Sequence, residues 1–183
     1  RIKIMDIIIT EPKWKSYVVE TMGPIFTPKL CKKIINLSNT LKKEQGKIGN
    51  KEISKEEEKK LRQSTITWIE FNKMQPVYDD IKNLIQKINQ NHFGFSNIKI
   101  IEPAQVSKYS KGQFYDWHTD SSIDMDNEPP VRKLSMTLLL NDPSEFEGGN
   151  LEIAGKKMSH MKQGHAAIFA SFLQHRVTPV TKG

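Results

Sequence analysis

One segment decides how the fold and the chemistry of this chain are interpreted. It is residues 109–120, which are Tyr-Ser-Lys-Gly-Gln-Phe-Tyr-Asp-Trp-His-Thr-Asp. Two of them, His118 and Asp120, lie two positions apart. Residues i and i+2 of a β-strand point to the same face, so this imidazole and this carboxylate can reach one common point. The pair therefore indicates a metal site, although His-x-Asp by itself also arises by chance in loops.

A third ligand is needed to complete the site. Two histidines and one carboxylate on one face of a metal ion leave the opposite positions open, as in non-haem Fe(II) oxygenases. The candidates are His160, His165 and His175. His160 lies in a Lys-rich polar stretch and His165 directly follows a glycine, whereas His175 lies in the alternating apolar segment 173–180. We expect His175 to be the third ligand.

The His-x-Asp segment is one of a series of short strand-like stretches that follows Phe95. Turn signals such as Lys111-Gly112 and Gly148-Gly149 separate them, and many short strands with frequent turns are typical of a sandwich or barrel. The sequence therefore predicts a mainly β (α+β) fold. The predicted strands are 98–109, 114–118, 133–140, 150–153, 165–169 and 173–180.

Two helices are predicted before this series. Thr27 and Pro28 form a helix start, an N-cap followed by proline in the first turn, and apolar residues then recur at helical spacing up to Leu41. Pro76 opens the second helix, which ends within 89–94. We expect both helices to pack on one face of an antiparallel double sheet.

The remaining N-terminal segments are shorter. Residues 2–9, 17–20 and 65–71 are predicted strands. Residues 46–62, with two glycines and few apolar side chains, are predicted to form a mobile loop with room for one helical turn. The length of 183 residues fits one domain. We expect a single domain over 1–183, with a helical support layer and mobile loop in 1–97 and the β core in 98–183.

Composition excludes several classes of protein. No window approaches 18 apolar residues, so no membrane span is expected. The single cysteine, Cys31, excludes an intrachain disulfide and predicts a reducing, cytoplasmic setting. Six of the seven net positive charges arise in residues 29–62, with 11 Lys/Arg against 5 Asp/Glu, while residues 103–183 carry 9 of each. This basic segment is either a solvated surface or a contact surface for an acidic partner.

Five motifs follow one another in a recognisable order. They are Tyr-x-x-Gly-x-Phe-Tyr-x-x-His-x-Asp at 109–120, Leu-Ser-Met-Thr-Leu-Leu-Leu-Asn at 134–141, Gly-Gly-x-Leu at 148–151, Gly-His-Ala-Ala-Ile-Phe-Ala-Ser at 164–171, and His-Arg-Val-Thr-Pro-Val-Thr-Lys-Gly at 175–183. The series resembles the Fe(II)- and 2-oxoglutarate-dependent dioxygenases of the prolyl 4-hydroxylase superfamily, and most of all the PKHD-type hydroxylases. The resemblance covers roughly residues 98–183.

This resemblance implies a double-stranded β-helix (jelly roll) with supporting N-terminal helices. It also implies Fe(II) held by His118, Asp120 and His175, with 2-oxoglutarate and O₂ as cosubstrates and ascorbate as a further cofactor. Tyr109 matches a tyrosine that lines the 2-oxoglutarate pocket in the family.

Three further residues are candidates for the same pocket. Thr137 and Leu139 match strand positions that face it, and Val177 shares the strand face of His175. An ordinary place in the core of a half-buried strand is the alternative for Thr137 and Leu139.

The far carboxylate of 2-oxoglutarate needs a paired cation when it is buried. The family supplies one ten residues after the second histidine, at a position 185 that lies beyond the printed sequence. Within the sequence the candidates are Lys182, Arg176 and Arg132. Strand parity places Lys182 and Arg176 on the face opposite His175, so Lys182 can serve only if the strand bulges near Pro179.

The predicted activity is hydroxylation of an unactivated C–H bond of a prolyl or other peptidyl residue, with release of succinate and CO₂. A peptide or protein substrate is expected, with no membrane and no nucleic-acid partner, and loops 46–62 and 121–131 are predicted to form a lid. Two alternatives stay open. The basic N-terminal segment suits a nucleic-acid base demethylase, and a jelly roll without turnover would be a binding module.

Overall fold

The computed structural model describes residues 16–48, 54–121, 131–158 and 161–183. The helices in these residues are α1 Pro28–Thr40, α2 Lys55–Leu61 and α3 Gln75–Ile88, with short 3₁₀-helices at Phe71–Lys73 and Pro143–Glu145 and a π-helix at Asn89–Phe93. The strands are β1 Val18–Glu20, β2 Glu44–Gln45, β3 Arg62–Gln63, β4 Thr65–Ile69, β5 Ala104–Lys108, β6 Phe114–His118, β7 Leu134–Leu138, β8 Glu147–Gly148, β9 Leu151–Ile153, β10 Lys156–Lys157, β11 Ala166–Ala170, β12 His175–Val177 and β13 Val180–Lys182.

These strands form antiparallel sheets, so the protein is mostly β, as the sequence predicts. The five-stranded sheet has the order β10-β9-β12-β6-β3, and a three-stranded sheet has the order β1-β11-β7. The strands β2, β4 and β5 form a further sheet, and β13 pairs with β8. The ends of β6 and β12, where the candidate ligands lie, are neighbours in the five-stranded sheet.

The two larger sheets and the helices are stacked in layers. Ala166 and Ile168 of β11 pack against α3, whereas Ala167 and Phe169 pack against β9. Because successive residues of a strand point to opposite faces, β11 is buried on both sides. The helices therefore cover one face of the β1-β11-β7 sheet, and the five-stranded sheet covers the other.

Both long helices begin where the sequence predicts. The Thr27 hydroxyl accepts the Leu30 N–H at 3.3 Å as the N-cap of α1, and Pro28 occupies the first turn. Pro76 lies in the first turn of α3, and Gly94 ends the π-helix that extends it, with a φ of +77°. None of the described helices has the length and apolar character needed to cross a bilayer.

Part of the predicted loop 46–62 is regular structure, which corrects that prediction. Residues 55–61 form α2, and Arg62 begins β3, which pairs with β6. The capping box of Ser54 and Glu57 starts α2, and this signal is visible in the sequence. Residues 49–53 of the predicted loop, and nearly all of the predicted lid 121–131, lie outside the described residues.

The N-terminal part is also more than a helical support layer. The strand β1, within the predicted 17–20, pairs with β11, and β4, within the predicted 65–71, pairs with β5. Residues 1–97 therefore contribute strands to three sheets that contain strands of the β core. The predicted strand 2–9 lies outside the described residues.

Candidate metal centre

The structure brings His118, Asp120 and His175 together. His118 ends β6 and His175 begins β12, and the two are cross-strand partners. His118 Nε2 lies 3.8 Å from Asp120 Oδ1, and His175 Nε2 lies 3.5 Å from Asp120 Oδ2. One donor atom from each residue lies within 4.8 Å of the other two. This set of two imidazoles and one carboxylate can hold one metal ion.

Backbone carbonyls orient both imidazoles. His118 Nδ1 lies 2.7 Å from the carbonyl oxygen of Asp116, and His175 Nδ1 lies 3.0 Å from that of Leu173. A carbonyl oxygen only accepts, so each Nδ1 carries the proton and donates. The lone pair of each Nε2 then points toward Asp120 and is free to bind a metal.

Asp120 is held in place both at its carboxylate and at its backbone. The Ser135 hydroxyl of β7 donates to Oδ2, and the Asp120 N–H donates to the carbonyl of Ser171 at 3.0 Å. Burial acts to raise the pKa of Asp120, but the hydrogen bond from the Ser135 hydroxyl and the positive charge of Arg132 are among the interactions that lower it, to about 2. Asp120 is therefore ionised over the physiological pH range and available as a ligand.

His118 is neutral at physiological pH. Its side chain is 12% exposed, and burial, followed by the neighbouring His175, lowers its pKa to about 4. A metal ion therefore meets little competition from protons at this imidazole, because the ligand must be deprotonated to bind.

A β-bulge in β6 directs His118 toward the site. His175 pairs with His118, but Val177 pairs with Tyr115, so β6 has one residue more than β12 between these two pairs. A bulge of this kind reverses the strand alternation and commonly re-aims a side chain beside a functional site. As a result, the rings of Tyr115 and His118 stack, with centroids 3.4 Å apart and planes at 12°.

The other histidines do not join this cluster where the structure describes them. His165 is buried elsewhere, with Nδ1 3.1 Å from the carbonyl oxygen of Thr21. His160 lies outside the described residues. The structure thus groups His175, and not His165, with His118 and Asp120.

Four of the residues predicted to line a 2-oxoglutarate pocket lie in or directly after strands β5, β7 and β12. Thr137 shares a face of β7 with Ser135, which contacts Asp120, while Leu134, Met136 and Leu138 face the helical core. Leu139 directly follows β7, and its N–H donates to the carbonyl of His165.

Tyr109 directly follows β5, and Val177 ends β12. Val177 is half-buried and pairs with Tyr115. The hydroxyl of Tyr109 interacts with Ser107, Ser64 and Arg62, and burial raises its pKa.

Two of the predicted cations point away from the cluster. Lys182 is exposed and its Nζ lies 3.0 Å from Glu147 Oε1, despite an irregular register between β13 and β8. Arg176 pairs with Glu152 at 2.8 Å and lies over Trp117, on the face of β12 opposite His175. Arg132 forms an ion pair with Glu102, and its Nη1 lies 3.8 Å from Asp120 Oδ1.

Sequence reasoning missed Ser135, Tyr115 and Arg62. Ser135 and Thr137 alternate with apolar residues in 134–140, which is a signal for a polar strand face. Tyr115 could not be found, because regular alternation places it opposite His118. Arg62 was hidden in a charged segment that resembles a solvated loop.

The sequence and the fold of this chain are similar to those of known hydroxylases. The sequence profile of the 2OG-Fe(II) oxygenase superfamily matches residues 104–183, which include all three clustered residues. A PKHD-type hydroxylase of Psychrobacter sp. is 33% identical over 123 residues, which cover 62% of this chain and 48% of that protein. One of Teredinibacter turnerae is 39% identical over 88 residues, which cover 45% of this chain and 39% of that protein. The matched region thus spans less than half the length of these relatives.

Solved structures share the fold over nearly the whole chain. A viral collagen prolyl hydroxylase from Paramecium bursaria Chlorella virus-1, in complex with 2OG, superposes with a TM-score of 0.69 at 21% identity and covers 92% of this chain and 91% of its own. A prolyl-4-hydroxylase of Pseudomonas putida superposes with a TM-score of 0.67 at 17% identity and covers 91% and 87%.

Proposed function

We propose that this chain is an Fe(II)- and 2-oxoglutarate-dependent hydroxylase, since the profile of the 2OG-Fe(II) oxygenase superfamily matches residues 104–183 and curated relatives are PKHD-type hydroxylases. The observation that carries the proposal is the cluster of His118, Asp120 and His175, with three donor atoms within 4.8 Å of one another. Two imidazoles and a carboxylate fit Fe(II) and leave room on the metal for other ligands.

The layered sheets are proposed to be the double-stranded β-helix of this superfamily. The shared fold of the two prolyl hydroxylases supports this assignment. The strands that residues 1–97 contribute to the sheets support a single domain over 1–183, in which that part completes the β core of 98–183.

Each residue of the site has a defined part. His118 and His175 each present an Nε2 lone pair, Asp120 presents a carboxylate, and the Ser135 hydroxyl fixes the orientation of that carboxylate. Bound Fe(II) and 2-oxoglutarate supply the activation of O₂ that hydroxylates a C–H bond, with release of succinate and CO₂. The protein holds the ligand geometry and shields the site from bulk water.

The cosubstrate pocket is proposed to lie beside Tyr109, Thr137, Leu139 and Val177, with ascorbate as a further cofactor. Lys182 can pair with the far carboxylate of 2-oxoglutarate only after it leaves Glu147. We therefore favour the position 185 predicted from the resemblance for the paired cation.

A prolyl residue of a peptide or protein is the proposed substrate. The support is that two solved structures of the same fold are prolyl hydroxylases, one of them a collagen prolyl hydroxylase. The reducing, cytoplasmic setting stays a prediction that rests on the single cysteine.

Succinate formation tests the proposal. Purified protein is incubated with Fe(II), 2-oxoglutarate and ascorbate, with and without proline-containing peptides, beside the variants Asp120→Ala and His92→Ala. We expect succinate from the wild type, more of it with an accepted peptide, none from Asp120→Ala, and wild-type amounts from His92→Ala, whose histidine is outside the cluster.

The opposite outcomes identify the alternatives. Iron binding without succinate under any condition would contradict the proposal and favour a binding module. Turnover stimulated by methylated DNA or RNA, but by no peptide, would favour a base demethylase.

A further inference from the structure

Arg62 is a buried cation in the N-terminal part of the chain. It is 5% exposed, and no carboxylate of the described residues lies within ion-pair distance of its guanidinium. Neutral oxygens accept its hydrogen bonds instead, at 2.8–2.9 Å: Ser64 Oγ, the Lys47 carbonyl and Gln105 Oε1. A buried charge without a partner of opposite charge is costly, so an apolar residue would serve better if packing were its only role.

The surroundings of Arg62 are shaped for a flat guanidinium. A Cβ atom added to Gly46 would lie 2.5 Å from Arg62 Nε and 2.2 Å from Ser64 Oγ. The backbone of Gly46 therefore packs directly on the arginine, and its N–H donates to the Ser64 carbonyl at 2.9 Å. Together with the three acceptors, this contact fixes the plane of the guanidinium.

Arg62 is connected to the candidate metal ligand through one aromatic ring. Arg62 of β3 pairs directly with Tyr115 of β6, and its Cζ lies 4.4 Å from the ring centroid of Tyr115. The same ring stacks on the imidazole of His118 at 3.4 Å. The three groups form a stack, Arg62–Tyr115–His118, that is available only because the bulge in β6 turns Tyr115 and His118 to one face.

We propose that Arg62 is a positioning residue for metal binding, which it supports by holding Tyr115 against His118. The Asp116 carbonyl fixes one edge of the His118 imidazole, and the stacked ring fixes its plane, so that Nε2 stays directed at Asp120. The inference rests on the part of the proposed function that makes His118 a metal ligand. It also gives the N-terminal part a role in the site itself.

The test uses Co²⁺, a visible probe for the metal site, in titrations of the whole chain. We expect Arg62→Met to weaken Co²⁺ binding about tenfold and to change the Co²⁺ absorption spectrum, as loss of groups that orient metal ligands typically does. Arg62→Lys keeps the charge but not the planar guanidinium, so we expect its Co²⁺ affinity to be close to that of Arg62→Met. Tyr115→Phe keeps the ring and should bind like the wild type, whereas Tyr115→Leu should resemble Arg62→Met.

Arg176→Met is the matched control. Arg176 also lies over an aromatic ring, that of Trp117 at 4.7 Å, in the same sheet but on the face opposite His175. Its loss should leave Co²⁺ affinity and spectrum unchanged. If the losses of Co²⁺ affinity in Arg62→Met and Tyr115→Leu do not add up in the double variant, both residues act through one stack.

Two results would overturn the inference. One is wild-type Co²⁺ affinity and spectrum in Arg62→Met; the other is equal affinity in Tyr115→Phe and Tyr115→Leu, a comparison that stands even if Arg62→Met does not fold. Wild-type protein that binds no Co²⁺ would overturn the metal centre and this inference with it. Wild-type binding that Arg62→Met leaves unchanged would overturn this inference alone.

Discussion

Each histidine of the candidate metal centre is oriented by a backbone carbonyl two residues before it in the chain. Asp116 plays this part for His118 and Leu173 for His175, so the geometry of β6 and β12 directly sets where each Nε2 points. Asp120 differs, because a side chain of another strand, Ser135, holds its carboxylate. The orientation of the Asp120 carboxylate therefore depends on a side-chain contact rather than on a backbone carbonyl.

Ser135→Ala tests this dependence. The loss of the hydroxyl leaves the Asp120 carboxylate free to rotate, so we expect about tenfold weaker Co²⁺ binding. Ser144→Ala is the control, since Ser144 Oγ donates to Asp142 at 2.8 Å in the same way but at the exposed surface. Titrations of both variants measure the difference, and equal affinities would show that Ser135 does not hold the ligand.

The stability of the metal-free protein should fall in acid. The pKa of His118 is about 4 in the folded protein and about 6.5 when unfolded. Below pH 6.5 the unfolded state therefore binds more protons, and the stabilisation present above pH 6.5 is lost as pH falls toward 4. We expect the free energy of unfolding in urea to drop by about 1–2 kcal/mol between pH 7.5 and pH 5 through this group. Over the same pH range the free energy of unfolding of His118→Gln should fall by about 1–2 kcal/mol less than that of the wild type. An identical drop in both proteins would refute the low pKa of His118.

Regular elements were predictable where one periodic pattern continues without interruption. The stripe of α1 and the strand 114–118 follow from local spacing, and the structure has both. His118 and Asp120 could be identified because their spacing carries the signal. His175 could be chosen only from the alternating pattern of its own segment.

The bulge in β6 and the strand β3 could not be predicted from local pattern. Alternation over 114–118 gives no sign that one extra residue stands opposite β12. Arg62 lies among charges that normally face solvent, and only pairing with a strand distant in sequence buries it. Both the bulge and the strand arise from contacts between elements that are distant in sequence. Without these two features, the roles of Tyr115 and Arg62 could not be predicted.

The turn before β11 is in tight contact with the residue that precedes the N-cap of α1, and this contact can be tested. A Cβ atom at Gly164, where φ is +79°, would lie 2.1 Å from the carbonyl oxygen of Phe26, just before α1. Gly155 has a φ of +78° but open space around it. We expect Gly155→Ala to cost about 1 kcal/mol of stability and Gly164→Ala about 2 kcal/mol more from the clash. Thermal unfolding of both variants measures this, and equal losses would mean that the contact with Phe26 is not tight.

The whole molecule is held together by contacts between its N-terminal and C-terminal parts. The strands β1, β3 and β4 pair with β11, β6 and β5, and α3 covers Ala166 and Ile168. A β core expressed alone would expose this apolar face and lose the pairing of β3 beside the metal centre. The basic residues of 29–62 thus belong to a part of the chain that packs on the β core, and this packing does not depend on an acidic partner.

Residues 98–183 expressed alone should therefore not fold cooperatively. We expect no sharp transition in urea and no saturable Co²⁺ binding, in contrast to the whole chain. Circular dichroism and titration of the two proteins make the comparison. A fragment that unfolds cooperatively and binds Co²⁺ like the whole chain would show that the β core is independent of residues 1–97.

The most direct test of the central claim is the stoichiometry and affinity of Fe(II) under anaerobic conditions, measured by calorimetry on wild type, His118→Ala, Asp120→Ala, His175→Ala and His165→Ala. The account predicts one Fe(II) per wild-type chain and a loss of more than about 100-fold in each of the first three variants, since removing a ligand should exceed the effect of removing a group that orients one. His165→Ala should bind like the wild type. A folded His175→Ala protein with wild-type Fe(II) affinity, or loss of iron in His165→Ala alone, would contradict the account.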